Sequence, residues 1–186
     1  TIYQLEGRAA HALGEYALHH PDIWYPETQV NIETKDGWKL WPVTDEMREA
    51  VKLYVETVYG LLANHGGKLS IERTFDLALL RPPEPMFGTA DAVIVGDRFI
   101  HVIDLKYGVG EVVEVADNSQ LLYYALGAIL AEYSRKVFSN EPMPGDDDTE
   151  FDRTPLDDAT AMFDSIQVTV VQPRAPHTDG PVRSSL

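Results

Sequence analysis

The fold is decided by residues 88–106, which read GTADAVIVGDRFIHVIDLK. Two runs of mostly aliphatic and β-branched residues, 88–95 and 98–106, flank the pair Gly96-Asp97. Such runs favour β-strands, and a Gly/Asp pair between them is typical of a two-residue hairpin turn. The stretch therefore predicts an antiparallel β-hairpin.

A two-residue turn also fixes which residues pair across this hairpin. Asp91 then faces Val102, and because side chains alternate along a strand, Asp91, Asp104 and Lys106 share one face of the sheet. Asp91 and Asp104 become diagonal neighbours about 7–8 Å apart. Two such carboxylates can share a hard divalent cation, with a lysine beside them. The alternative is a surface hairpin that carries two aspartates and a balancing lysine.

The rest of the chain alternates between helical and strand patterns. Residues 68–80 read as a half-buried strand whose apolar residues all point one way except at Arg73. Helices are predicted over about 5–19, 45–63 and 118–138, strands over 29–34 and 165–171, and a hairpin turn at Asp36-Gly37. This order predicts an α/β domain with a mixed β-sheet flanked by helices.

The domain organisation follows from length and composition. At 186 residues the chain is predicted to form one domain. Within it, residues 20–43 form an N-terminal hairpin insertion, residues 141–164 an acidic loop, and residues 173–186 a tail without a packing pattern. The three tryptophans of the insertion, Trp24, Trp38 and Trp41, are expected to pack the hairpin; the alternative is that they stack on nucleotide bases.

Composition excludes several classes of chemistry. The absence of cysteine excludes disulfides, thiolate zinc sites, iron–sulfur clusters and cysteine nucleophiles. No apolar run is long enough for a membrane span. The chain starts at Thr1 without a methionine or a signal peptide, which favours a shortened form of a cytoplasmic protein.

The charge argues against a simple nucleic-acid binder. Fifteen Lys and Arg against 30 Asp and Glu give a net charge of -15, without the basic footprint of such proteins. Residues 141–164, however, hold nine acidic residues and only Arg153 as a base, so this segment carries -8 of the total. The rest of the domain is mildly acidic and leaves room for a local metal-bearing groove.

The hairpin residues resemble a known signature. Asp91 followed by Asp104-x-Lys106 resembles the PD-(D/E)XK nuclease motif, with Thr89-Ala90 at the position of its proline and aspartate where many members have glutamate.

Two flanking motifs are similar to those of the RecB-like, phage-type exonuclease branch of that superfamily. Gly7 and His11 fit its G-x-x-x-H motif, and Gln120 and Tyr124 fit its Q-x-x-x-Y motif. Gln120 and Tyr124, four residues apart, share one face of a helix.

The resemblance implies a restriction-endonuclease-like core and a metal-dependent DNA nuclease, more an exonuclease than an endonuclease, with Mg²⁺ or Mn²⁺ as cofactor. It implies His11, Asp91, Asp104 and the Leu105 carbonyl as metal ligands, Lys106 with both aspartates as catalytic residues, and Gln120 and Tyr124 as substrate-binding residues. DNA, as linear duplex or single strand, is the implied partner. Further copies of the chain and a single-strand annealing protein are candidate partners in the cytoplasm of a bacterial host.

Several residues and functions stay open. Glu15 and Glu72 could support the metal site or simply be solvated, and His101 is expected to be structural because it alternates away from Asp104. A non-catalytic alternative is an acidic DNA mimic or a nuclease-fold interaction module, which the overall charge favours. RNA is a further alternative substrate.

Overall fold

A computed structural model describes residues 1–139 and 154–186. The helices in these ranges are α1 (Ile2–His19), α2 (Asp45–His65), α3 (Ser119–Ser139) and α4 (Pro155–Ala161). The strands are β1 (Gln29–Thr34), β2 (Gly37–Pro42), β3 (Lys68–Asp76), β4 (Phe87–Val95), β5 (Phe99–Leu105), β6 (Ser165–Val171) and β7 (Val182–Ser185). The predicted α/β class is confirmed, and so is a hairpin between β1 and β2. Its turn residues are Lys35 and Asp36 rather than the predicted Asp36 and Gly37, because Gly37 pairs with Thr34 as the first residue of β2.

The main sheet is mixed, with strand order β3-β4-β5-β6-β7. Only the β5–β6 pair is parallel, and α3 lies in the long crossover that such a pair requires. Helices α1 and α2 pack against one side of the sheet and α3 against the other, each over its own apolar core. No helix within the described ranges is long and apolar enough to span a membrane.

Small residues bring α1 close to the sheet and to α2. Ala9, Ala10 and Ala17 of α1 are fully buried. A Cβ at Gly14 would lie 3.4 Å from the Tyr54 ring of α2, so the glycine permits this approach. The close packing fixes the helix face on which His11 lies.

The predicted register of the β4–β5 hairpin is wrong by two residues. The turn holds four residues and is closed by the Gly96 N–H, which donates to the Phe99 carbonyl (3.0 Å). Val102 therefore faces Val93 rather than Asp91. Arg98 is drawn away from the hairpin because its carbonyl accepts from the Asp164 N–H (2.8 Å) and its guanidinium pairs with the Asp164 carboxylate.

Strand β3 changes face in its middle, where the alternation predicted one apolar face throughout. Leu69 and Ile71 pack on the α1–α2 side, whereas Phe75 and Leu77 pack on the α3 side. Between them Glu72 has φ +47°, in the left-handed region that a side chain rarely adopts. The strand also ends at Asp76, and residues 78–80 form a single 3₁₀ turn.

Strand β4 changes face at the neighbouring position. Ala92 packs on the α1–α2 side and Ala90 on the α3 side, although alternation would put both on one side. The two strands keep one register on either side of Glu72 and Asp91. Glu72 and Asp91 lie between these two paired stretches, opposite each other in the same register. Both strands therefore change face at this position.

Two of the predicted irregular segments contain regular structure. Residues 141–153 of the predicted acidic loop lie outside the described residues, but Pro155–Ala161 form α4, which packs on α3 through the buried Ala159. A Thr154–Asp157 capping box begins this helix.

The predicted tail is also structured. Val182–Ser185 form β7, which pairs antiparallel with β6. The buried Arg183 donates to the carbonyls of Gly180 and Val113 and to Gln172 Oε1. Four residues with buried arginine carry too little apolar pattern to be recognised as a strand.

Of the three tryptophans predicted to pack the small hairpin, only two do so. Trp24 is buried and Trp41 packs at the edge of the core, whereas Trp38 is 71% exposed. No residue of β2 is buried, so the outer strand of this hairpin faces solvent.

His101 is predicted to make stability pH-dependent. It is buried, and its Nε2 lies 2.7 Å from Thr169 Oγ1. Burial, and then the charge of His65, lower the pKa of His101 to about 4. An unfolded chain takes up the proton from pH 6.5 downward and the folded chain only near pH 4, so the contribution of His101 to stability is lost as pH falls through this window. The loss is on the order of 3 kcal/mol.

Urea unfolding between pH 7 and pH 4 measures this loss. His101→Gln, which keeps polar atoms and cannot be protonated, is expected to gain stability relative to the parent as pH falls from 7 to 4. His19→Gln, at the exposed end of α1, is the matched control and should follow the parent. A stability difference between His101→Gln and the parent that does not change with pH would contradict the assignment.

Candidate metal centre

Asp91 joins three elements at the end of the β4–β5 ladder. Its Oδ1 lies 3.0 Å from His11 Nδ1 on α1, and its Oδ2 accepts a hydrogen bond from the Leu105 N–H (2.7 Å). The Asp91 carboxylate thus bonds a backbone N–H of β5 at the point where the backbone pairing of β4 and β5 ends. With a proton on Nδ1, the His11 Nε2 carries a lone pair, as in histidines that carboxylates orient toward metals.

The electrostatics of His11 reflect this pairing. Burial would lower the pKa of His11, but the hydrogen bond and charge of Asp91, helped by Asp104 and Glu72, raise it. The surroundings of the ring are therefore strongly negative. A cation at this position would meet the same field.

Glu72 belongs to the same group. His11, Glu72 and Asp91 each offer a ligand atom within 4.8 Å of the others, and these three residues are called the His–Glu–Asp group below. Burial, and then the charge of Asp91, raise the pKa of Glu72 to about 7. One imidazole nitrogen and two carboxylates form a donor set that suits Mg²⁺ or Mn²⁺.

Asp104 is the most buried of the described acidic residues, at 2% exposed. Lys106 Nζ lies 3.0 Å from Oδ2 and 3.2 Å from Oδ1, and the hydrogen bond goes to Oδ1. Oδ2 accepts no hydrogen bond from any described residue. Burial, and then Asp91, raise the pKa of Asp104 to about 6. Oδ2 thus contacts the Lys106 ammonium without a hydrogen bond, and with the Asp91 carboxylate nearby it remains able to accept a metal cation.

Lys106 connects Asp104 to α3. Its ammonium donates to Gln120 Oε1 (2.8 Å), and Gln120 Nε2 donates to Tyr124 Oη (2.7 Å). Gln120 and Tyr124 therefore share one helix face, as their spacing predicts. A Cβ at Gly88 would come within 2.8 Å of the Tyr124 ring, so a glycine at this position lets the ring reach Gln120.

The two predicted aspartates do not share one simple face. Asp91 contacts α1, whereas Asp104 follows the alternation of Val102, which packs on the α3 side. Their carboxylates interact across the end of the sheet, since the charge of Asp91 raises the pKa of Asp104. The predicted common face is thus corrected to a common sheet end.

The remaining candidates differ in their placement. Glu15 lies on the groove beside α1, makes no hydrogen bond to His11 in the described part of the chain, and adds to the raised pKa of Glu72. Leu105 contributes its N–H to Asp91, and its carbonyl as a ligand stays a prediction.

Sequence reasoning did not find Tyr54 of α2. Its buried hydroxyl has no hydrogen-bond partner among the described residues. Burial, and then the charges of Asp91, Glu72 and Asp104, raise the pKa of Tyr54 well above its usual range. In the sequence Tyr54 is one position of an apolar helix stripe, and nothing distinguishes it from a core residue.

Fold and site together define a mixed α/β domain with a candidate metal centre at the end of its sheet. Residues 1–135 match the family described as "Protein of unknown function (DUF2800)". The chain belongs to this family. No solved structure matches it.

Glu72→Gln is expected to stabilise the metal-free protein and to weaken cation binding. The raised pKa means that stability falls as pH rises from about 4.5 to about 7, where Glu72 ionises beside Asp91. The amide removes that repulsion and should add on the order of 1 kcal/mol at pH 8. Urea unfolding in EDTA at pH 5 and pH 8 measures the gain, and calorimetric titration with Mn²⁺ measures the affinity.

Glu56→Gln, at an exposed position of α2, is the matched control and should change neither quantity. Equal pH dependence of Glu72→Gln and the parent would contradict the placement of Glu72 in the group.

Proposed function

We propose that this chain is a divalent-metal-dependent nuclease that hydrolyses phosphodiester bonds in DNA. One observation carries the proposal. The His–Glu–Asp group, Asp104 and Lys106 meet at one end of the sheet, and Lys106 is held from the other side by Gln120. Such a reaction requires acidic side chains that bind a metal cation. It also requires a positively charged side chain beside them.

The donor set fits the proposed cofactor. His11, Glu72 and Asp91 would hold Mg²⁺ or Mn²⁺, together with Asp104 Oδ2, a buried oxygen that accepts no hydrogen bond from the described residues. When bound, the cation supplies positive charge that polarises the phosphodiester and lowers the pKa of a coordinated water. Hydrolysis joins the water oxygen to phosphorus and breaks one P–O ester bond; one water proton leaves through solvent and the departing oxygen takes one up.

The chain's own residues have separable roles in this proposal. Lys106 places its ammonium against negative charge that develops on the phosphate. Gln120 and Tyr124 fix the direction of Lys106 and present polar atoms to the strand. Asp91 orients His11.

The finer assignments rest on the motif resemblance. An exonuclease of phage recombination type, which acts on linear duplex or single-stranded DNA in a bacterial cytoplasm, is the form that we propose. Self-assembly would concentrate the few basic side chains of each copy around the DNA, and a single-strand annealing protein would supply basic surface that a chain with net charge -15 lacks.

A second candidate function is an acidic DNA mimic or interaction module, which the charge of -15 favours. A mimic has no use for a lysine that the hydrogen-bonded pair Gln120 and Tyr124 directs toward the acids. The two candidates differ in a simple property: a mimic competes with DNA for a DNA-binding protein and cleaves nothing.

A nuclease assay tests the proposal. The chain is incubated with linear duplex, nicked circle and single-stranded DNA in Mg²⁺ or Mn²⁺, with EDTA and Ca²⁺ as controls. Degradation of linear DNA alone indicates an end-dependent exonuclease. A parallel single-stranded RNA substrate separates DNA from RNA specificity. No cleavage in either metal by a folded protein that binds Mn²⁺ would refute the nuclease.

A further inference from the structure

A groove runs from the His–Glu–Asp group along α1 to the β1–β2 hairpin. It has a volume of about 780 Å³ and is open to solvent. Its lining includes Arg8, His11, Glu33, Lys35, Trp38 and Glu72. Because His11 and Glu72 form part of its wall, a chain molecule lying in the groove would extend directly from the candidate metal centre.

Trp38 gives this groove a large flat apolar surface. It is 71% exposed on β2, whereas Trp24 is 6% exposed in the core. Trp41 is partly covered, and the Lys39 ammonium lies 5.6 Å from the centre of its ring. Packing against the described residues therefore does not explain why a large aromatic side chain stands at position 38. An exposed aromatic ring that lines a groove offers a face on which a base can stack.

Two basic side chains lie beside it. Arg8 sits one turn before His11 on α1, and its guanidinium donates to the Glu33 carbonyl (2.8 Å), which ties α1 to the hairpin. Lys35 is exposed and forms no ion pair with any described residue. Both are placed to contact phosphates of a strand that passes toward His11.

The groove is not basic enough to bind nucleic acid by charge alone. Glu15, Glu33 and Glu72 line it together with the two basic residues. Binding must therefore draw on stacking, which is open to any base but only when the base is unpaired. Bases inside a duplex are already stacked on their neighbours and cannot cover Trp38.

We infer that this groove binds single-stranded DNA, with an unpaired base stacked on Trp38 and adjacent phosphates near Arg8 and Lys35. The inference rests on the proposed nuclease function and narrows its substrate: the strand reaches the metal centre unpaired. Double-stranded ends would be processed through a frayed or overhanging strand. The hairpin of residues 20–43 then acts as a strand-binding element rather than only as a packing insertion.

The test measures binding without cleavage. A short labelled single-stranded oligodeoxynucleotide is titrated in EDTA and followed by fluorescence anisotropy, with a blunt duplex of the same sequence alongside. Trp38→Ala is expected to weaken single-strand binding by about 10-fold or more, since stacking of one base contributes that much. Trp38→Phe should retain most of the affinity, and the blunt duplex should bind weakly to all variants.

Controls separate the groove from other aromatic surface. Tyr25→Ala removes a side chain that is 61% exposed but lines a different depression, beside Arg48 and Lys52, and should bind as the parent does. Oligonucleotide binding should also quench the intrinsic tryptophan fluorescence of the parent. Trp38→Ala should not show this quenching.

Failure of the groove and failure of the nuclease are distinguishable. Unchanged single-strand affinity in Trp38→Ala, or equal affinity of the parent for blunt duplex, overturns the groove even if the chain cleaves DNA. Trp38-dependent single-strand binding by a chain that cleaves nothing in Mg²⁺ or Mn²⁺ supports the groove and refutes the nuclease.

Discussion

Lys106→Ala is expected to lower the rate of DNA hydrolysis by about 10²–10⁴, the usual effect of removing a positioned charge or proton-transfer group. Cation binding should persist or strengthen. Lys106 Nζ lies 3.0 Å from Asp104 Oδ2, so its removal takes a positive charge away from the oxygen that a cation would use. Single-turnover cleavage in Mn²⁺ measures the rate, and calorimetric titration with Mn²⁺ measures the affinity.

Lys52→Ala is the matched control, because Lys52 is exposed on α2 and lies in a different depression. It should cleave at the parent's rate. Circular dichroism establishes that Lys106→Ala is folded, since the variant leaves the buried Asp104 without its ion pair. Cleavage by folded Lys106→Ala within a few-fold of the parent would reduce Lys106 to a balancing charge and remove the central residue of the proposal.

Asp104→Asn should abolish both Mn²⁺ binding and hydrolysis. Asparagine keeps the shape of the side chain but loses the charge that supplies most of a carboxylate's affinity for a hard cation. The same substitution should stabilise the metal-free protein at pH 8. The pKa of Asp104 is raised to about 6, so above that pH the folded state holds two repelling carboxylates, Asp91 and Asp104.

The two effects have opposite signs, and thermal melts measure both. In EDTA at pH 8 the variant should melt above the parent; in Mn²⁺ the parent should gain stability and the variant should not. Asp97→Asn, on the exposed hairpin turn, should behave as the parent does in both buffers. An Asp104→Asn variant that Mn²⁺ stabilises as much as the parent would show that this carboxylate is not a ligand.

Local pattern predicted the hairpin but not its register. Gly96-Asp97 is a short-range signal, and the strands on either side of it are present. The register depends on Arg98, which is bonded to Asp164, 66 residues further along the chain. No turn rule includes such a contact, so the pairing was wrong by two residues.

The sequence predicts those contacts of the candidate site that depend only on the spacing of two residues within one motif. The four-residue step from Gln120 to Tyr124 and the two-residue step from Asp104 to Lys106 correspond to contacts in the structure. Glu72 was undervalued, because its place in the group depends on a backbone turn that alternation cannot express. Arg73, the polar exception in the apolar alternation, directly follows that turn. It lies on the α3 side, where Glu132 accepts its hydrogen bond.

The turn at Glu72 also changes the edge of the main sheet. Strand β3 is nine residues long and lies at one edge of the sheet. A long regular edge offers a continuous row of N–H and C=O groups on which a strand of another chain can add. The left-handed Glu72 in the middle of β3 breaks the regular extended backbone of that row. The residue that brings a carboxylate to the candidate metal centre thus also makes this edge less regular as a template for an added strand.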